Sequence, residues 1–226
     1  MKFIKIVFGI ILLSCFVFCK QGETSTLSDK KIITSGDKTE SKTKTKKILF
    51  FGNSLTAAYG IDPKMGYVSL IQQKLDNEKL DYKVINAGLS GETTAGGLER
   101  IDWILKQPID VFVLELGGND ALRGIDPKNS YQNLKGIIEK VKSKYPEVKV
   151  VLAGMQAPPN MGKAYTDAFK NNYFNLSKEL NTSLIPFLLE NIGGIKDLNI
   201  KDGIHPNEKG QVIMAENVWK TLKTVL

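Results

Sequence analysis

The stretch Ile48-Leu49-Phe50-Phe51-Gly52-Asn53-Ser54-Leu55-Thr56 decides the fold, because a short apolar run ends there in a glycine and then a serine. An apolar run bounded by turn residues is typical of a buried strand. Gly52 permits a sharp backbone turn at the strand end, and we expect Ser54 at the N-terminus of a following helix, with its hydroxyl toward a cleft. A serine there is also a common helix N-cap, so the stretch alone leaves a purely structural interpretation open.

Similar apolar runs recur along the chain and alternate with amphipathic segments. The further strand candidates are Tyr82–Ile85, Val111–Leu116, Val148–Leu152 and, more weakly, Ser183–Ile185. The helix candidates, with apolar residues at three- and four-residue spacing, are about 66–79, 94–106, 129–144, 162–180 and 207–224. This alternation predicts a three-layer α/β/α sandwich around a five-stranded parallel sheet. Any ligand site then lies where the carboxyl ends of the strands meet.

The net charge of +7 is unevenly distributed along the 226 residues. Residues 1–47 carry +6 of it, whereas residues 48–226 carry only +1. A nucleic-acid-binding domain would concentrate basic residues on the folded part of the chain. We therefore expect no nucleic-acid partner for the predicted sheet domain.

Residues 1–19 have the pattern of an export signal. Met1-Lys2-Phe3-Ile4-Lys5 is a charged start, and the apolar run that follows, Ile6–Phe18, is shorter than a membrane-spanning helix needs. The segment resembles a bacterial lipoprotein signal, in which either Cys15 or Cys19 would carry the lipid. A cleaved signal peptide and an uncleaved anchor are the alternatives. Both cysteines of the chain lie here, so no disulfide framework is expected beyond it.

Residues 20–46 are rich in lysine, serine and threonine and poor in aromatic residues. Such a stretch cannot bury enough apolar area to offset its ordering entropy, so we expect a flexible tether. The domain organisation predicted is thus a signal segment 1–19, a tether 20–46 and a folded domain 47–226. The protein is expected in the bacterial cell envelope, either held to a membrane by a lipid anchor or periplasmic.

Four loops bring together side chains suited to nucleophilic catalysis. The first holds Ser54, the second (residues 86–94) a glycine-containing turn, and the third (residues 116–120) Asn119. The fourth, Asp202-Gly203-Ile204-His205-Pro206-Asn207, holds the only histidine of the chain. A spacing of three lets Asp202 accept a hydrogen bond from His205 Nδ1, which would leave Nε2 free to take a serine proton. Each loop alone also has a structural explanation as a turn or a cap.

The order Ser…Gly…Asn…Asp-x-x-His resembles the SGNH hydrolases, the GDSL-type esterases and lipases, over nearly all of residues 47–226. The stretches Glu115–Gly124 and Asp202–Asn207 are especially similar to the bacterial periplasmic thioesterase, lysophospholipase and arylesterase branch. The resemblance implies a flavodoxin-like fold, with Ser54 as nucleophile, His205 as base and Asp202 as its partner. It also implies an oxyanion hole made by Ser54, Gly91 and Asn119. The chain departs from the family at Asn53, where the motif has aspartate.

The same resemblance implies a serine esterase acting on acyl esters or thioesters, such as lysophospholipids, fatty acyl esters or aryl esters. It implies no metal and no cofactor, and we expect a monomer. The candidate substrate-binding residues are Asp120, Leu122, Met155 and Pro158. Two alternatives remain at this point, a carbohydrate O-acetyl esterase on the same scaffold and a non-catalytic surface-binding lipoprotein.

Overall fold

A computed structural model describes residues 44–226. The signal segment, Cys15, Cys19 and most of the predicted tether lie outside the described residues. The five strands are β1 (Lys46–Gly52), β2 (Tyr82–Gly88), β3 (Val111–Glu115), β4 (Lys149–Ala153) and β5 (Ser183–Ile185). All pairings are parallel, in the order β2-β1-β3-β4-β5, which confirms the predicted sheet.

Six α-helices connect and cover these strands: α1 (Tyr67–Asn77), α2 (Thr94–Ile104), α3 (Gly118–Leu122), α4 (Pro127–Lys144), α5 (Lys163–Glu179) and α6 (Glu208–Leu222). The chain steps one way from β1 to β2 and the other way from β2 to β5. Right-handed crossovers therefore put α1 on one face and α2, α4 and α5 on the other. The last helix, α6, packs against α1. Among the described residues, no helix is long and apolar enough to cross a membrane.

The central strand β1 positions the site. Ile48, Phe50 and Phe51 are fully buried, as expected of a strand that is covered on both faces. In the register of the sheet, Gly52 lies opposite Gly88 of β2 and Glu115 of β3. The carboxyl ends of three strands are thus level, and the loops that follow them share one edge.

The segment after Gly52 differs from the expectation of a helix. Residues 53–60 form successive turns, in which the Ala57 N–H donates to the Asn53 carbonyl (3.0 Å) and the Tyr59 N–H to that of Ser54 (3.0 Å). The left-handed backbone at Ala58 (φ 57°) and Gly60 (φ 80°) prevents these turns from continuing as a helix. The first α-helix begins only at Tyr67.

The role predicted for Gly52 is also different. Its φ is not in the left-handed region, so it does not supply an unusual turn. A Cβ there would lie 2.2 Å from Thr56 Oγ1 and 2.5 Å from Glu115 Oε2. Glycine is therefore required at the end of β1 by close packing.

Candidate active site

Ser54, His205 and Asp202 are joined by two hydrogen bonds at the carboxyl edge of the sheet. The His205 Nε2 atom lies 2.8 Å from Ser54 Oγ, and Nδ1 lies 2.6 Å from Asp202 Oδ2. The serine comes from the end of β1 and the other two side chains from the loop before α6. Side chains distant in sequence thus form the linked arrangement that a nucleophile, a base and an orienting acid require.

The loop from Asp202 to His205 is closed by the aspartate itself. Asp202 Oδ1 accepts hydrogen bonds from the N–H groups of Ile204 (2.9 Å) and His205 (3.0 Å). Gly203, which follows the aspartate, adopts φ 71° and allows the chain to turn back toward it. Partial burial acts to raise the pKa of the Asp202 carboxyl, but these N–H groups and the imidazole outweigh it and hold the pKa below its usual value. The carboxylate therefore stays ionised beside the imidazole.

Tyr59 is a neighbour of His205 that sequence reasoning did not assign. Its ring centroid lies 4.7 Å from that of the imidazole, at an interplanar angle of 46°. The left-handed residues Ala58 and Gly60 flank it, and the backbone turn they make presents the ring to His205. The only signal in the sequence is the glycine that follows the tyrosine.

Two of the backbone N–H groups predicted for the oxyanion hole make no hydrogen bond in the part of the chain that the structure describes. Within residues 44–226, the N–H groups of Ser54 and Gly91 have no hydrogen-bond acceptor. Gly91 adopts φ 82°, and its carbonyl accepts a bond from Arg123 Nη2 (3.0 Å), which holds the following peptide, between Gly91 and Glu92. Asn119 donates one amide N–H to the Glu92 carbonyl (2.9 Å), so its amide is oriented as well.

A buried ion pair supports this second loop, and it was not foreseen from the sequence. Arg100 donates two bonds of 2.6 Å to the carboxylate of Glu92, which is almost completely buried. The same guanidinium donates to the Ala87 carbonyl (2.9 Å) and stacks 4.3 Å from the centroid of the Phe51 ring. A bidentate, desolvated pair of this kind fixes geometry more firmly than an exposed one.

A cavity of about 490 Å³ opens beside Ser54, Asn119 and His205. Of the four candidate substrate-binding residues, Leu122, Met155 and Pro158 line it. Other apolar lining residues are Leu55, Ala157, Phe187, Leu189 and Ile204. The cavity can therefore receive an apolar chain next to the serine.

The fourth candidate, Asp120, does not line the cavity. It is fully buried, and its carboxylate accepts hydrogen bonds from the Thr94 N–H (2.9 Å), the Thr94 hydroxyl (2.5 Å) and the Ser130 hydroxyl (3.1 Å). These bonds tie the first turns of α2 and α4 to α3. The geometry thus corrects the expected substrate contact, and Asp120 fastens helices together behind the site.

Asn53, at the position where the family motif has aspartate, supports the turn around Ser54 by hydrogen bonding. Its Oδ1 accepts a bond from the Leu55 N–H (3.0 Å), and Ser54 Oγ lies 3.4 Å from the same oxygen. An amide oxygen, like a carboxylate oxygen, can accept both of these bonds. The turn around Ser54 is therefore kept despite the changed residue.

Comparison with known proteins places this chain in a family. The sequence profile of the GDSL-like lipase/acylhydrolase family matches residues 50–213. Esterase TesA of Pseudomonas aeruginosa is 43% identical over 180 residues, covering 79% of this chain and 89% of the esterase. The thioesterase 1/protease 1/lysophospholipase L1 of Escherichia coli strain K12 is 35% identical over 180 residues, covering 79% of this chain and 84% of that protein.

A solved structure shows the same similarity. A crystal structure of TesA superposes with a TM-score of 0.77 at 42% identity and covers 80% of this chain and 100% of that one. The chain belongs to the GDSL-like lipase/acylhydrolase family and is a serine esterase, a carboxylic ester hydrolase.

Proposed function

We propose that Ser54, His205 and Asp202 form the catalytic triad of an esterase that hydrolyses medium- to long-chain acyl esters or thioesters, including lysophospholipids. The observation that carries the proposal is the pair of hydrogen bonds from His205 to Ser54 (2.8 Å) and Asp202 (2.6 Å) beside an apolar cavity. The relatives are esterases, so the interpretation as a non-catalytic lipoprotein is set aside.

In the acylation step, Ser54 Oγ attacks the ester carbonyl carbon while His205 Nε2 takes the hydroxyl proton. The carbonyl electron pair moves to the oxygen, which the Ser54 and Gly91 N–H groups and the Asn119 amide stabilise. Collapse of this intermediate breaks the bond to the alcohol or thiol, and His205 gives the leaving group its proton. Water then repeats the sequence on the acyl-serine and releases the acid.

A fluorophosphonate probe tests the nucleophile. We expect it to label the wild-type protein on Ser54, and we expect Ser54→Ala to abolish both labelling and turnover of p-nitrophenyl esters. Ser90→Ala is the matched control, because Ser90 is an exposed serine in the neighbouring loop. Labelling that survives in Ser54→Ala would refute the assignment.

The acyl group is tested by p-nitrophenyl esters of increasing chain length. Leu122, Met155 and Pro158 give the cavity an apolar wall that an acetyl group would leave largely empty. Transfer of each buried methylene from water contributes about 0.8 kcal/mol, so kcat/KM is expected to rise over the first several carbons. A steep preference for acetate would instead favour the carbohydrate O-acetyl esterase.

The N-terminal segments support a proposal about location. In it, residues 47–226 are the catalytic domain, the tether 20–46 precedes them, and lipidation within 1–19 holds the enzyme at a membrane of the cell envelope near its lipid substrates. Metabolic labelling with a radioactive fatty acid tests this, with Cys15→Ser and Cys19→Ser compared. Loss of label in one variant alone identifies the lipidated cysteine, whereas unlabelled wild type contradicts the anchor.

A further inference from the structure

A buried carboxyl lies directly beneath the turn that carries Ser54. Glu115, the last residue of β3, is fully buried. Its Oε2 accepts hydrogen bonds from the Asn53 N–H (3.1 Å) and from the Thr56 hydroxyl (2.8 Å). Asn53 precedes Ser54 and Thr56 follows it by two, so one carboxyl oxygen holds the chain on both sides of the serine.

The close approach of this carboxyl depends on Gly52. Any Cβ at that position would lie 2.5 Å from Glu115 Oε2 and 2.7 Å from the Glu115 carbonyl oxygen. Such distances are not tolerated between a Cβ and oxygen atoms, so a larger residue would push the glutamate away from the turn. Gly52 at the end of β1 and Glu115 at the end of the neighbouring strand β3 are thus closely packed against each other.

The second carboxyl oxygen of Glu115, Oε1, has no hydrogen-bond partner among residues 44–226. Burial raises the pKa of Glu115 to about 7, although the bonds from Thr56 and Asn53 act to lower it. Tyr67 on α1 and Tyr173 on α5 are the titratable groups that face it, and burial raises the pKa of both hydroxyls, so they stay neutral. No ion pair within residues 44–226 involves Glu115.

Tyr67 links the surroundings of Glu115 to the loop that carries His205, because it makes hydrogen bonds at both its hydroxyl and its backbone N–H. The Thr56 hydroxyl lies 2.9 Å from the hydroxyl of Tyr67, and the Tyr67 N–H donates to Gln211 Oε1 (2.9 Å). Gln211 Nε2 in turn donates to the carbonyl of Pro206, the residue after His205 (3.3 Å). Buried polar groups in such a network position one another. The two sets of hydrogen bonds are joined only through the covalent frame of Tyr67, whose buried side chain thus connects the carboxyl to both loops of the Ser54–His205 pair.

We propose that Glu115 is a positioning residue that fixes Ser54 relative to His205, and that loss of its proton tightens the turn around the serine. This inference rests on Ser54 being the nucleophile proposed above. A carboxylate accepts shorter and roughly twofold stronger hydrogen bonds than a neutral acid does. The ionised form thus holds Asn53 and Thr56 more firmly, and the reactivity of Ser54 gains a pH dependence that comes from this carboxyl.

The test compares wild type with Glu115→Gln in the rate of fluorophosphonate labelling at pH values from about 5 to about 9. Glutamine keeps the shape and an acceptor oxygen but cannot ionise. We expect rates within about twofold at the acid end and about five- to tenfold faster labelling of wild type at the alkaline end. A rate ratio that is constant with pH would make the role merely structural and overturn the proposal. A wild type that does not react at all refutes the triad instead.

Thr56→Val is a second variant that leaves Glu115 in place. It removes one of the two donors to Oε2 and keeps the volume of the side chain. Losing a bond that favours the carboxylate should move the midpoint of the additional ionisation to higher pH. Infrared difference spectra of the protonated carboxyl, absent in Glu115→Gln, follow the same midpoint directly. A midpoint that Thr56→Val does not move, or a carboxyl signal that persists in Glu115→Gln, would overturn the proposal.

Discussion

At the scale of single residues, Asn53 shows how a changed motif keeps its geometry. Its amide oxygen accepts from the Leu55 N–H, while its own N–H donates to Glu115. An aspartate here would add a second carboxyl next to a buried one, and like charges at that distance oppose each other's ionisation. Asparagine avoids this conflict and leaves Glu115 without a second carboxylate beside it.

Asn119 is the residue whose role is easiest to isolate. We expect Asn119→Ala to lower kcat by about 10²–10³ with little change in KM, because its amide would contact the oxyanion only in the transition state. Steady-state kinetics on a p-nitrophenyl ester measure the effect. Asn133→Ala is the matched control, since that amide donates to Thr94 (3.1 Å) and does not line the cavity. A kcat loss below about tenfold in Asn119→Ala would remove it from the oxyanion hole.

At the scale of secondary structure, the apolar runs predicted all five strands, and three- to four-residue spacing predicted the long helices. The short helix α3 was missed, because five residues give no periodic signal. The turns after Ser54 were mistaken for a helix. Their conformation depends on contacts with Glu115, about 60 positions away in sequence, which no local pattern reveals.

The site, too, has parts that the sequence predicts and parts that depend on contacts between distant residues. Ser54, Asp202 and His205 are brought together as the sequence indicated, because strand order carries their loops to one edge. Arg100 and Glu115 have no recognisable signal of a role in the site, and Tyr59 has only the glycine that follows it. Such residues are usual on any surface. The packing of α2 places Arg100, the register of the sheet places Glu115, and the left-handed turn around Tyr59 places its ring beside His205.

Substitution of Gly117, the residue between β3 and α3, tests how tightly the two elements are packed together. It has φ 116°, and a Cβ would lie 2.1 Å from the Tyr173 hydroxyl, which donates to the Leu116 carbonyl (2.9 Å). We expect Gly117→Ala to lower the free energy of unfolding by about 3 kcal/mol or more, from combined strain and overlap. Gly194→Ala is the control, because φ is 75° there but a Cβ would have no atom of the described residues within 4 Å. It should cost only about 1 kcal/mol. Equal losses in denaturant unfolding would contradict the overlap.

At the scale of the whole molecule, a sheet buried on both faces ends in a layer of polar groups beneath the cavity. Glu115 is fully buried there, and one of its oxygens has no hydrogen-bond partner in the described part of the chain, so its ionised form costs folding free energy. Asp120, also fully buried, instead receives three hydrogen bonds from its neighbours. The two carboxyls lie on either side of the same loop, one fastening helices and the other available to change its charge.

The free-energy cost of ionising the buried Glu115 carboxyl makes the stability of the fold depend on pH. The folded protein keeps the Glu115 proton until the pH reaches its pKa of about 7, whereas the unfolded chain releases it near the ordinary pKa of 4.5. The folded state binds more protons between these values, so this group lowers the free energy of unfolding as pH rises through that window, by about 3 kcal/mol in all. Glu115→Gln removes this contribution and should therefore gain stability relative to wild type as the pH increases.

Denaturant unfolding of wild type and Glu115→Gln at about pH 5 and about pH 8 measures this difference. Carboxyls with lowered pKa, such as Asp202, act in the opposite direction but are present in both proteins and cancel. If the stability gap between the two proteins is the same at both pH values, Glu115 does not titrate in this window. If the gap widens while the labelling ratio stays constant, the carboxyl titrates without moving Ser54. Only a change in both means that the charge that weakens the fold also positions the nucleophile.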